Sequence, residues 1–107
     1  MIDHDDMRDI QREIDLTGLP YRAIDRHGVC FIEQYDHTHM ATRGWTVNTL
    51  EEWHVLRDEL FPLGDMHEAY ALYRQMTTSG HDPVAEDEMV RLQKLFALRG
   101  VAIEENK

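Results

Sequence analysis

His37 and His39, separated by Thr38, are the most metal-like pair in this sequence. On an extended segment residues i and i+2 project to one side, so both imidazoles would reach a common ion. Asp36 adjoins them, and His27, His54 or His67 would have to complete the coordination through folding. The chemistry implied is metal binding or metal-dependent hydrolysis. The same pattern in a polar loop is also ordinary surface composition, because a metal site is defined by its full ligand set and geometry. The 7 histidines offer a second, diffuse property, since near their usual pKa of about 6.5 they would gain charge together and weaken a negative field.

Other nucleophiles and cofactor motifs lack context. Cys30 lies between Val29 and Phe31 in an apolar run, which predicts a buried, inert thiol. Ser79 precedes Gly80 at an expected helix end and has no nucleophile-elbow surroundings. Among 21 Asp and Glu residues no spacing marks one pair as an acid–base dyad. The 6 glycines are scattered singly, forming neither a phosphate-binding loop nor a dinucleotide fingerprint. No cofactor and no catalytic residue is expected.

Charge is the strongest compositional signal. The chain of 107 residues carries 11 Lys and Arg against 21 Asp and Glu, for a net charge of −10. A surface of that sign repels nucleic-acid phosphates and anionic lipids within about a Debye length, ~8–10 Å. A nucleic-acid reader needs a concentrated basic patch, and none is present, so neither direct nucleic-acid nor membrane binding is expected. The acids cluster: residues 1–16 hold six against two arginines, and residues 49–64 hold four (Glu51, Glu52, Asp58, Glu59) against Arg57. One cysteine permits no internal disulfide, and the sequence starts without a basic, apolar leader, so a reducing, cytoplasmic setting is expected.

The elements that must position these groups can be read from periodicity. Met7, Ile10 and Ile14 recur at helical spacing behind Asp3, Asp5 and Asp6, and Gly18 supplies a left-handed stop. Tyr21–Asp25 and Val29–Tyr35 read as strands joined by a tight turn at Arg26-His27-Gly28, with Val29, Phe31, Glu33 and Tyr35 on one face and Cys30, Ile32 and Gln34 on the other. Gly44–Val47 offers a short third strand. Thr49 and Glu52 have capping-box spacing before an apolar stripe of Leu50, Trp53, Leu56 and Leu60. Pro62-Leu63-Gly64 breaks that helix. The next, starting near Asp65, carries Met66, Tyr70, Tyr73 and Met76. Asp82-Pro83 starts a last helix with Met89, Leu92, Leu95 and Phe96 inward and Gly100 at its end. Residues 101–103 read as a short strand or packed coil, and residues 104–107 as a frayed tail.

Together these features describe a single small acidic α+β domain: an N-terminal helix, a β-hairpin or short three-stranded antiparallel sheet, then three helices on one face. The two helices flanking Pro62 mimic a helix-turn-helix, but Asp65 and Glu68 would face the phosphates, so the pair reads as an ordinary helical hairpin. The functional expectation is a non-enzymatic protein-binding module. In its sharpest form it is an inhibitor presenting Glu51, Glu52, Asp58 and Glu59, with Trp45 as an aromatic anchor, to the cationic surface of a nucleic-acid-handling protein. The plainer reading is that these acids are solvated helix faces that keep the chain soluble. The alternatives are a metal-binding protein or metal-dependent hydrolase using His37 and His39, and a homo-oligomeric structural subunit such as a homodimer.

Overall fold

The computed structural model describes residues 2–101, divided between two compact units, Met1–Leu60 and Phe61–Lys107. The element order is a helix, a three-stranded antiparallel sheet and three helices, the α+β class expected from periodicity.

In the first unit, α1 (His4–Thr17) begins at Asp3, whose side chain accepts from the Asp6 amide at 2.8 Å while Asp6 accepts in return from the Asp3 amide at 3.4 Å. Acidic side chains here satisfy two of the amides a helix start leaves without partners. Ile10 and Ile14 are fully buried, and Gly18 closes the helix at φ 69°, a left-handed conformation that costs glycine little.

The sheet is a meander of β1 (Tyr21–Arg26), β2 (Val29–Tyr35) and β3 (Ala41–Val47), in spatial order β1-β2-β3. His27 and Gly28 turn the first hairpin with φ values of 55° and 82°, the two positive dihedrals of a type I′ turn, and Asp25 accepts from the Gly28 amide at 2.9 Å. Register pairs Ile32 with Ala23 and Trp45, and Cys30 with Asp25 and Val47. Facing residues share a side of the sheet, so Cys30, Ile32 and Val47 point into the core together. The opposite face carries Phe31, Glu33 and Tyr35, as the alternation predicts. There Glu33, 3% exposed, takes Arg22 at 3.1 Å and Arg26 at 2.9 Å, and the same guanidinium groups lie over the Tyr35 and Phe31 rings. The third strand is longer than expected, starting at Ala41 rather than Gly44. The turn at residues 36–40 and a register shift at Gln34/Tyr35 bring Ala41 opposite Tyr35, and pairing overrides the weak strand preference of this stretch.

α2 (Leu50–Leu60) starts at Thr49, whose hydroxyl accepts from the Glu52 amide at 3.1 Å. Its buried positions are Trp53 and Leu56; Leu50, expected on that stripe, is 40% exposed because it sits in the opening turn, off the inward face.

In the second unit, α3 (Leu63–Ser79) begins two residues before the expected Asp65. Pro62, at φ −58°, stands just outside the helix, so the break is confined to Phe61-Pro62 and Gly64 is absorbed into the first turn. Met66 and Tyr70 are buried, whereas Met76 is 41% exposed and leaves the inward set. α4 (Pro83–Leu98) is capped by Asp82, which accepts from the Val84 and Ala85 amides, both at 3.1 Å. Phe96 centres this core: His67 stacks on it at 4.6 Å, Tyr70 meets it edge-on at 6.1 Å, and the Tyr70 hydroxyl accepts from Gln93 at 3.1 Å. Of the segment read as strand or coil at 101–103, Val101 is in no strand. The remainder, like the tail at 104–107, lies outside the described residues. No helix among the described residues is long and apolar enough to cross a membrane.

Candidate functional site

A groove of about 680 Å³ runs between β3 and α2, lined on the strand side by Trp45, Thr46 and Val47 and on the helix side by Glu51, Glu52, Val55, Leu56 and Glu59, with Thr49 at the bend. Four of the five residues expected to contact a partner therefore border one concavity. Helical geometry explains the set. Glu51, Val55 and Glu59 recur every four residues and form one stripe beside the buried Trp53 and Leu56. Val55 is 70% exposed, an apolar side chain held between carboxylates.

Asp58 stands apart. It does not line the groove, and the Arg57 Nε lies 3.4 Å from its carboxylate. By contrast, Glu51, Glu52 and Glu59 are exposed, and among the described residues none has an Arg, Lys or His nitrogen within ion-pair distance. Glu51 and Glu52 also occupy the first turn of α2, where the helix dipole favours a negative charge. The groove thus combines apolar side chains with carboxylates that meet no cationic side chain among the described residues.

α2 is fixed by buried polar contacts to α1. Glu13, 6% exposed, accepts from the Trp53 indole at 3.3 Å and from Arg57 at 3.2 Å. Trp53 therefore belongs to the core of the first unit, and Tyr70 is buried in the second. Trp45 is half-buried, with Arg43 4.9 Å above its ring and Tyr21 6.1 Å away. It is held from two sides while its remaining surface opens to the groove.

The His37-Thr38-His39 segment is a turn rather than an extended run. The Asp36 amide donates to the Met40 carbonyl at 3.0 Å, and His39 adopts a left-handed φ of 65°. The same-side projection argued for i and i+2 therefore does not apply. The Asp36 carboxylate is occupied by the loop itself, accepting from the Thr38 amide at 2.8 Å, the Thr38 hydroxyl at 2.5 Å and the Met40 amide at 3.1 Å. These bonds, those of Thr38 first, hold its pKa below the usual carboxylate value. His27 sits at the other end of β2, a strand of 7 residues that spans roughly 20 Å, and His67 belongs to the second unit. Among the described residues no group of three or more His, Cys, Asp or Glu is arranged to hold a metal ion.

Cys30 is 2% exposed, as expected, and its thiol pKa is pushed up first by burial and then by the Asp25 carboxylate. That is the reverse of what thiolate chemistry needs. Two features of the groove escaped sequence reasoning. Val55 breaks the apolar stripe, and only its helical phase relative to Glu51 and Glu59 signals a contact position. The open edge of β3 depends on strand order, which no local pattern encodes.

Comparison of the chain with family models, with curated proteins and with solved structures gave no match.

Proposed function

We propose that this chain is a non-enzymatic protein-binding module whose groove between β3 and α2 receives a basic segment of a partner protein. In its most specific form it is an inhibitor that sets carboxylates against a cationic surface used by its partner for nucleic-acid phosphates. The observation that carries the reading is the convergence of Trp45, Glu51, Glu52 and Glu59 on one groove around the exposed Val55.

Three physical arguments support it. Carboxylates that meet no cationic side chain among the described residues keep their field for an incoming ligand, and complementary potentials select partners and speed encounter. An aromatic ring and an aliphatic side chain at the centre of a polar rim form the arrangement in which binding energy concentrates. The overall charge of −10 discourages competing anionic ligands.

Affinity capture from lysate at low and high salt, with the wild type and a Glu51→Gln, Glu52→Gln, Glu59→Gln variant as baits, tests the proposal. A basic protein retained by the wild type at low salt, released at high salt and lost by the variant is the expected result. Retention of the same protein by the variant at both salts would contradict the acidic-groove reading.

A further inference from the structure

The two edges of the sheet are not equivalent. At the β1 edge, the Ala23 amide points away from β2 and donates to the Gln11 side chain of α1 at 2.8 Å. That contact also sets the phase of the ladder. If Ala23 points outward, then Arg22, Ile24 and Arg26 exchange bonds with Glu33, Phe31 and Val29, leaving Cys30, Ile32 and Gln34 to bond β3. Their partners Val47, Trp45 and Arg43 turn their backbone groups inward, so Gly44 and Thr46 turn theirs outward. Both are exposed, and among the described residues nothing is hydrogen-bonded to those outward groups.

A bare edge strand is a template for another strand. This one borders the groove directly, since Trp45, Thr46 and Val47 form its strand wall. The spacing of the opposite wall suits an extended occupant. Glu51 and Glu59 stand eight residues apart on a helix, about 12 Å. Same-face residues i and i+4 of an extended chain are about 13 Å apart. A second copy of this chain would bring its own exposed glutamates into the same space, so charge favours a basic peptide over self-pairing.

We infer that the occupant of the groove is an extended basic segment that adds to β3 as a fourth, edge strand. Its backbone pairs with Gly44 and Thr46, and alternate cationic side chains reach Glu51, Glu52 and Glu59. The inference rests on the proposed protein-binding function and specifies how the ligand is held.

The test uses the full chain and a fluorescent peptide of alternating valine and lysine. The comparison is a helix-forming lysine–alanine peptide of equal charge, both followed by anisotropy at low ionic strength. Thr46→Pro removes an outward amide without touching the ladder to β2. It is expected to weaken the alternating peptide about tenfold, the order expected for a lost hydrogen bond and its unpaired carbonyl. N-methylation of alternate peptide amides in one phase is expected to weaken binding similarly and in the other phase to leave it unchanged, a readout that holds even if Thr46→Pro fails to fold. Equal binding of both peptides, indifferent to Thr46→Pro and to methylation phase, would overturn strand addition and leave the acidic groove standing. Failure of both peptides to bind would overturn both. A dimer that Thr46→Pro dissociates and the peptide cannot displace would overturn the inference in favour of a second copy on the edge.

Discussion

The Trp53 indole donates to Glu13 Oε2 at 3.3 Å across 40 residues of sequence. Arg57 reaches the other oxygen of the same carboxylate at 3.2 Å, so one buried acid of α1 fixes both the depth and the rotation of α2. That rotation decides which α2 side chains face the groove. Acidic groups that look alike in the sequence therefore have opposite roles: Glu13 is consumed by the fold, and Glu51, Glu52 and Glu59 are left to solvent.

Glu13→Ala is expected to lower stability by about 2–4 kcal/mol in chemical denaturation, because it leaves Arg57 without its least exposed partner and the indole without this acceptor. Glu13→Gln keeps an acceptor for Trp53 and is expected to cost less. A loss below about 0.5 kcal/mol for the alanine variant, the scale of an ordinary surface change, would show that the contact does not anchor α2.

Gly44 is required by Phe31. A Cβ at position 44 would stand 2.5 Å from Phe31 Cε1 and 2.9 Å from Cζ, closer than van der Waals contact allows. Gly44→Ala is expected to destabilise by about 1–3 kcal/mol through overpacking. Placed in a Phe31→Leu background, the same change is expected to cost measurably less, and a double-mutant cycle reads that coupling. Additive losses would show that the ring moves aside freely.

Cys30 is expected to react slowly with a thiol reagent at pH 8 in the native protein and rapidly in denaturant, given its 2% exposure. Its thiol pKa is raised in the folded state by burial and by Asp25. A group with a raised folded pKa contributes stability that is intact below the unfolded value, 9.0 for this thiol, and lost as pH climbs through the folded one. Cys30→Ser is expected to remove the thiol part of any alkaline decline in stability. An unchanged profile would contradict that assignment.

Asp36 has the opposite sign. Its folded pKa is depressed by the Thr38 and Met40 bonds, so its contribution is present above the ordinary carboxylate range and lost as pH falls through the lower folded value. The Thr38 and Met40 amide resonances are expected to shift together in that acidic window, and Asp36→Asn to abolish the shared titration. Independent titration of the two amides would contradict a single controlling carboxylate.

Much of this architecture is written locally. The acids at the start of α1, the Thr49 cap, the Gly18 stop and the alternation of β2 are signals confined to a few residues, and each stands where it was expected; the tight turn expected at Arg26-His27-Gly28 narrows to His27-Gly28 because Arg26 pairs with Val29. The departures are positions decided by tertiary partners. Ala41–Arg43 become strand because β2 offers them a ladder, and Leu50, in the opening turn of α2, stays 40% exposed. The four acids of residues 49–64 were legible as a charge cluster, but their division was not. Only the fold reveals that Asp58 meets Arg57 while Glu51, Glu52 and Glu59 line the same groove as Trp45. The backbone around His37 and His39 was illegible for the same reason, since an Asx-type turn at Asp36 stands where the i, i+2 argument assumed an extended run.

Titration of isotope-labelled protein with the alternating valine–lysine peptide, followed by amide, methyl and indole NMR shifts, shows whether the groove between β3 and α2 binds a basic strand. Saturable shifts are expected at Trp45, Thr46, Val55 and Glu59, with a silent Trp53 indole and little change at the equally acidic N-terminal turn of α1. Shifts spread evenly over the acids of both helices, and growing without saturation, would mean that the charge is a solvated coat and the groove recognises nothing.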